Sequence, residues 1–241
     1  MKYDVYVLTH DEELCISSCL KSIKRFCKSA NKIKVIDDNS EDDTLKYVEP
    51  LADEIIANIQ GGVGVSRQIA LETSETDYIL FVDADVELIR DPEPILDGFK
   101  KNDKAIAIRG RNLNMVNWDY TMLHKWGCGM GLTFVDVKKA KDVGFKNYIY
   151  SGGKGEDKDF CIRAKEKGYV IGANNKRVFG IHFQSYELNK EPELMYDIAQ
   201  SFINGNISYI HKQFQNESPM VSMNRVMMGL VVAMLLDDRN D

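Results

Sequence analysis

Over the first hundred residues, short apolar runs alternate with stretches of helical periodicity, and each apolar run ends in polar residues. Tyr3 to Leu8 reads as a strand and ends at Thr9-His10-Asp11-Glu12-Glu13. Ile16, Cys19, Leu20, Ile23, Phe26 and Cys27 follow at helical spacing. Lys32 to Ile36 is a second strand, running into Asp37-Asp38-Asn39-Ser40. Ser40 suits the N-cap of the next helix, with Asp43 completing an approximate capping box. Glu54 to Ile59 is a third strand, followed by Gly61-Gly62-Val63-Gly64 and a helix over about Ser66 to Glu72. The apolar run Ile79-Leu80-Phe81-Val82 ends in Asp83-Ala84-Asp85, and Asp91-Pro92 opens a helix reaching about Lys101. Alternating strands and helices predict a mostly parallel sheet covered on both faces. Such sheets bind ligands beyond the carboxyl ends of their strands. The polar groups at Thr9, at Asp37 and Asp38, and at Asp83 and Asp85 are therefore expected at one rim.

The two aspartates after the fourth strand carry the most specific chemistry. A buried strand ending in unpaired carboxylates is expensive unless they meet a partner. In extended chain, residues i and i+2 point to the same side, so Asp83 and Asp85 can address one object. A hard divalent cation suits them, because Mg2+ and Mn2+ prefer oxygen ligands and share them with substrate phosphates. The plainer alternative is that one aspartate caps the next element and the other is solvated.

Composition narrows the classes. With 241 residues, 44% hydrophobic and 28% charged, the chain fits one large α/β domain or a domain with an appendage. A net charge of −6 argues against a dedicated nucleic-acid binder. The five cysteines, Cys15, Cys19, Cys27, Cys128 and Cys161, are odd in number and include no Cys-x-x-Cys. Three of them fall in one helical pattern, which favours core packing and a reducing cytoplasmic setting over a disulfide framework. Met1-Lys2-Tyr3-Asp4-Val5 runs directly into a strand, so no signal peptide is expected. No apolar run reaches the 18 or more residues of a membrane span.

The second half is less regular. Strands are expected at Ala105 to Arg109 and Thr133 to Val137, the latter followed by a short helix. Trp118 to Trp126 is aromatic-rich and suits either a pocket wall or ordinary core. The polar loop Ser151-Gly152-Gly153-Lys154-Gly155 precedes a helix opened by Glu156-Asp157 and stopped at Gly168. Tyr169 to Ala173 and Arg177 to Ile181 read as two short strands, with His182 just after the second. Pro192 and Pro219 each open a helix, and the last carries the 11-residue apolar run from Val226 to Leu236.

Four segments together resemble the family 2 glycosyltransferases, which have the GT-A fold. Val7-Leu8-Thr9-His10-Asp11 is similar to the family's first-strand motif Pro-Thr-Tyr-Asn, with Leu8 and Asp11 as departures. Asp37-Asp38-Asn39-Ser40-Glu41-Asp42-Asp43-Thr44 is similar to Asp-Asp-Gly-Ser-x-Asp-x-Thr, and Asp83-Ala84-Asp85 to the Asp-x-Asp metal motif. Glu156-Asp157 with Arg163 and Gly168-Tyr169 is similar to the family's Glu-Asp element. The resemblance covers roughly residues 3 to 185 and implies a GT-A nucleotide-sugar-binding and catalytic domain over 1–185, with a helical extension over 186–241. It implies an inverting transfer of a sugar from a nucleotide-sugar donor to a hydroxyl on a glycan, lipid-linked or protein acceptor. A UDP-sugar is the first expectation and GDP-mannose the second.

Donor contacts then fall to Thr9, Asp11, Asp38, Arg67, Asp83 and Ala84. The cofactor, Mn2+ or Mg2+, falls to Asp85 with Asp83 and His182, although a lone histidine after a strand is also a common structural residue. Asp157 is the candidate general base, with Glu156 beside it, and the first turn of a helix favours its ionised form. The plainer reading has both carboxylates merely complementing the helix dipole.

Two other classes compete. A nucleotidyltransferase shares the layout, but calls for a glycine-rich basic loop after the first strand, where this chain has an acidic one. A non-catalytic sugar-binding domain of the same fold is disfavoured by the presence of both Asp85 and Asp157. Gly62-Val63-Gly64 lacks the third glycine of a dinucleotide turn, since Arg67 stands there, and no Gly-Lys-Ser/Thr marks a P-loop. The apolar C-terminal run is too short to span a bilayer. Over 219–236 it suits packing on the domain, a homodimer contact, or peripheral contact with the inner face of a membrane, where a lipid-linked acceptor would lie.

Overall fold

The period-2 pattern of the strands places apolar side chains on both faces of the sheet, and helices cover both. In the computed structural model, which describes residues 1–114, 129–147 and 155–183, β1 (Tyr3–Thr9) sends Val5 and Val7 to one face and Tyr6 to the other. β2 (Ile33–Asp37), β3 (Glu54–Ala57) and β4 (Tyr78–Asp83) run parallel to it in the order β3-β2-β1-β4. Leu80 and Val82 of β4 join the first core, and Ile79 and Phe81 the second. Helix α1 (Ile16–Phe26) covers the first face with Ile16, Cys19, Leu20 and Ile23. α2 (Thr44–Val48) adds Val48 to that same core. α3 (Val63–Thr73) covers the other face with Ala70 and Leu71.

Beyond β4 the sheet becomes mixed. Ala84 and Asp85 form a turn into β5 (Val86–Leu88). The chain then passes through a 3-10 turn at Glu93–Ile95 and helix α4 (Asp97–Lys101) to β6 (Ala105–Asn114). β7 (Leu132–Asp136) inserts antiparallel between β4 and β6. Helices α5 (Val137–Val143) and α6 (Glu156–Glu166) follow, with Ala140, Phe160, Cys161 and Ala164 in the second core. β8 (Val170–His182) runs parallel to β6 and pairs antiparallel with β5. Among the described residues the sheet has eight strands, ordered β3-β2-β1-β4-β7-β6-β8-β5.

Several sequence expectations are corrected. Ser40 does not cap a helix: α2 begins at Thr44 with Asp43 as N-cap, and the Ser40 hydroxyl accepts from Asp11 N instead. The two N–H groups that a capping box would use go elsewhere: Asp43 N donates to Glu13 Oε2 across a facing loop, and Ser40 N donates to Asp37 Oδ2. The helix opened by Asp91-Pro92 is divided into the 3-10 turn and α4, with Asp91 Oδ1 accepting from Glu93 N. The two short strands at Tyr169 to Ala173 and Arg177 to Ile181 are one strand, whose irregular pairing with β6 absorbs the polar residues between them. Four cysteines, Cys15, Cys19, Cys27 and Cys161, are buried thiols outside any disulfide, as core packing requires. Trp118 to Trp126, Cys128, the loop from Ser151 to Lys154, the helices at Pro192 and Pro219, and the extension over 186–241 lie outside the described residues. Among the described residues no helix is long and apolar enough to cross a membrane.

Candidate active site

The carboxyl ends of β1, β2 and β4 open into a cleft of about 600 Å³, closed on the far side by the start of α6 and the end of β8. One wall holds Thr9, His10, Asp38 and Gly62, and the floor holds Arg67, Asp83, Ala84 and Asp85. Gly155, Glu156, Asp157 and His182 complete it. The rim expected from the strand order therefore exists, and residues from six elements or loops meet there.

At the β4 end, Asp83, Asp85 and His182 offer ligand atoms that all lie within 4.8 Å of one another. β5 and β8 create this cluster: Val86 pairs with His182, and Phe183 N donates to Asp85 O. His182 Nε2 thus comes to 3.2 Å from Asp85 Oδ2. Burial pulls the His182 pKa down, but the hydrogen bond and field of Asp85, joined by Asp83, outweigh it and leave the value raised. Burial also raises Asp83, opposed chiefly by the Arg67 guanidinium. Two carboxylates and an imidazole this close fit a Mn2+- or Mg2+-sized ion, which would relieve the repulsion between the aspartates. Gly131 is part of the same geometry: a Cβ there would lie 2.1 Å from Asp83 Oδ2.

Arg67 is the buried cation of the floor. Its Nε donates to Glu156 Oε1 at 3.2 Å, its Nη2 lies 3.8 Å from Asp83 Oδ1, and its guanidinium sits over the Phe81 ring. Its Nη1 is buried without a partner among the described residues. Thr9 Oγ1 is orphaned in the same way. Buried polar atoms left unpaired beside a cleft are what an absent ligand would satisfy. The residue after Arg67 behaves differently: Gln68 accepts from Phe145 N and donates to Glu72, away from the cleft.

The two acidic residues opening α6 divide their roles. Glu156 is buried, with Oε1 bound by Arg67 and Oε2 accepting from Gly155 N. Asp157 faces the cleft, and its Oδ1 accepts from the neighbouring Lys158 N at 2.6 Å. Burial and then the Glu156 charge raise its pKa, while Lys158 N–H, Arg67 and Arg109 oppose the shift. Glu156 is thereby held through both carboxylate oxygens, while the Asp157 carboxylate is turned to the cleft.

Asp38 lines the cleft with its carboxylate accepting twice from Gly62 N, at 3.0 and 2.8 Å. Gly62 has φ +99°, a conformation that side chains rarely adopt, so the glycine sets this contact. Asp11, expected among the donor contacts, does not line the cleft. With φ +52° it turns outward, accepts from Glu41 N at 2.8 Å and receives the Ser40 hydroxyl on its own N–H. It latches two loops together. His10 lines the cleft instead; a carbonyl only accepts, so the ring carries a proton on Nδ1 to bond Asp38 O at 2.7 Å.

Sequence reasoning passed over Asn58, Arg109 and Gly131. An asparagine at a strand end, three residues before the pair Gly61-Gly62, is a turn signal that could have marked it. Arg109, in mid-strand, is buried near Asp157 and Gly129 and has no local signature.

A parallel half-sheet ending in carboxylates, extended by antiparallel strands that bring a histidine to them, is the GT-A-like architecture. Crystal structures of Staphylococcus aureus TarS 1-349 share it. The complex with UDP aligns at TM-score 0.58 and 19% identity over 75% of this chain and 60% of that one. The complex with UDP-GlcNAc aligns at 0.58 and 21%, over 75% and 58%. The chain belongs to glycosyl transferase family 2, whose sequence model matches residues 4–158. Among curated relatives, the S. aureus (strain Mu50 / ATCC 700699) poly(ribitol-phosphate) beta-N-acetylglucosaminyltransferase TarS is 31% identical over 124 residues, 46% of this chain and 22% of that protein. The Staphylococcus epidermidis teichoic acid poly(glycerol phosphate) polymerase is 32% identical over 94 residues, 36% and 13% of the two chains. The chain thus spans about a fifth or less of those relatives' length.

Proposed function

We propose that this chain is an inverting, divalent-metal-dependent glycosyltransferase that uses a UDP-sugar donor, with UDP-N-acetylglucosamine as the first candidate. The observation that carries this reading is the meeting of Asp83, Asp85 and His182 with Asp157 around one cleft. Family membership and the UDP and UDP-GlcNAc complexes of TarS favour the donor. The names of the relatives favour a polyol-phosphate acceptor hydroxyl, which is compatible with a glycan or lipid-linked acceptor.

Asp85, Asp83 and His182 would hold the metal, which would supply positive charge against the donor diphosphate. Asp38 accepts the uracil N3–H, and Thr9 Oγ1 meets the nucleoside. Arg67 keeps Asp83 aligned and holds Glu156, and thereby the start of α6, in place. Asp157 takes the proton of the acceptor hydroxyl as its oxygen attacks the anomeric carbon on the face opposite UDP. One C–O bond forms, the C–O bond to the β-phosphate breaks, and configuration inverts. A carboxylate with a raised pKa is better matched to this proton transfer than an ordinary one.

The test is calorimetric titration of UDP, GDP, CMP and dTDP with and without Mn2+, on wild type and on Asp85→Ala. Metal-dependent UDP binding that Asp85→Ala abolishes supports the reading. Binding indifferent to metal and to Asp85 sinks it.

A further inference from the structure

We infer that Asn58, which does not line the cleft, is the positioning residue that makes Asp38 a reader of the donor base. The inference rests on the reading of Asp38 as the uracil contact. Asn58 is fully buried in the turn after β3. Its two Nδ2 hydrogens are shared among Asp38 Oδ1 at 3.1 Å, Gly62 O at 3.2 Å and Ser66 Oγ at 2.9 Å. Its Oδ1 accepts from Gly61 N at 3.1 Å. The amide orientation follows from its partners, because a carboxylate and a carbonyl can only accept. Its backbone is tied to the same place: Asn58 N donates to Asp37 O, and Asn39 Nδ2 donates to Asn58 O.

One side chain therefore joins the β2 carboxylate turn to the glycine turn that opens α3. Gly62 N and Asn58 Nδ2 together hold the Asp38 carboxylate in one orientation. Oδ2 accepts only from Gly62 N among these contacts, so it keeps a lone pair for a further donor. A carboxylate so fixed discriminates by hydrogen-bond polarity. Uracil presents an N–H at N3 and is accepted, whereas cytosine presents a lone pair there and is repelled. With Asn58 truncated, the carboxylate loses a restraint and can turn away from either base, so recognition weakens more than diphosphate binding does. Hydrogen bonds between buried groups work in this way: their orientation, set by a second partner, decides specificity.

The experiment compares wild type, Asn58→Ala and Asp38→Asn for binding of UDP, CDP and inorganic pyrophosphate, all with Mn2+, by calorimetry. Wild type is expected to prefer UDP over CDP by about tenfold or more, as loss of a hydrogen bond to a charged group implies. Asn58→Ala is expected to lose most of that preference through weaker UDP binding, while its pyrophosphate affinity stays within about twofold of wild type (a tenfold change being ~1.4 kcal/mol). Should Asn58→Ala not fold, Asn58→Ser is read by the same ratio. An unchanged UDP-to-CDP ratio in the Asn58 variant, with the ratio lost in Asp38→Asn, overturns the role of Asn58 and leaves the donor site standing. A pyrophosphate affinity that falls in step with UDP also overturns it, since that is a general collapse of the cleft. Wild type that binds no UDP removes the donor reading itself and this inference with it.

Discussion

Arg67 Nε donates to Glu156 Oε1 at 3.2 Å, joining the first turns of α3 and α6 across 89 residues of chain. The side chains are only 5% and 7% exposed, so each depends on the other for its charge. Removing one partner of a buried pair costs about 3–5 kcal/mol, because the survivor is left charged and unpaired. Arg67→Ala is expected to lower the unfolding free energy in urea by about that amount, and Arg67→Ala with Glu156→Gln by less. Additive effects in this double-mutant cycle would mean that the pair is not coupled.

Asp157 gives a prediction in pH. Its raised pKa means that the ionised base is lost, as pH falls, at a higher pH than for an ordinary carboxylate. The acid limb of kcat/KM for UDP release is expected above the usual carboxylate range. Asp157→Asn is expected to abolish turnover while keeping UDP affinity. Stability has the opposite sign: a folded-state pKa above the unfolded value means that ionisation opposes folding as pH rises. The Asn variant should then melt no lower than wild type near neutral pH. An active Asp157→Asn enzyme would assign the proton to another group.

Metal dependence should track the three clustered ligands unequally from their neighbours. Asp85→Ala and His182→Ala are each expected to weaken Mn2+-dependent UDP binding by about tenfold or more, as loss of a ligand or its hydrogen-bonded partner does. Chelation of wild type with EDTA should do the same, reversibly on adding Mn2+. UDP binding that survives chelation would detach the cluster from the donor.

Gly131→Ala is a test of close approach. The new methyl would stand 2.1 Å from Asp83 Oδ2, inside any real contact distance, so the carboxylate must move. Activity and UDP affinity are expected to fall sharply, and melting temperature less so. A variant with wild-type UDP affinity would show that Asp83 has room to shift without consequence.

Asp11 separates a latch from a ligand contact. Its carboxylate is spent on Glu41 N, 30 residues away, outside the cleft. Asp11→Ala is expected to lower stability by about 0.5–1.5 kcal/mol, the worth of one such hydrogen bond, and to change UDP affinity little. A large loss of affinity without destabilisation would restore it as a donor contact.

The legible features were those written in local chemistry. Short apolar runs announced β1, β2 and β4, and the carboxylates at their ends announced the rim, because a strand end and its side-chain direction follow from the residues themselves. Asp83 and Asp85 were visible for that reason, and Asp157 through the family's Glu-Asp element at the start of a helix. Ser40 misled because its local motif, a helix cap, was overridden by a contact between loops: its hydroxyl accepts from Asp11 N, 29 residues away, in place of a helix N–H.

What the sequence determined by itself was the alternation, both cores, the family and the carboxylate end of the sheet. Only the tertiary structure decided the rest. It paired β5 with β8, so that His182 reached Asp85. It locked Glu156 to Arg67, leaving Asp157 as the carboxylate that faces the cleft, and it made Asn58 the partner of Asp38. Strand pairing and buried polar contacts form between residues far apart in sequence, and their free energy exists only once burial removes water as the competing partner.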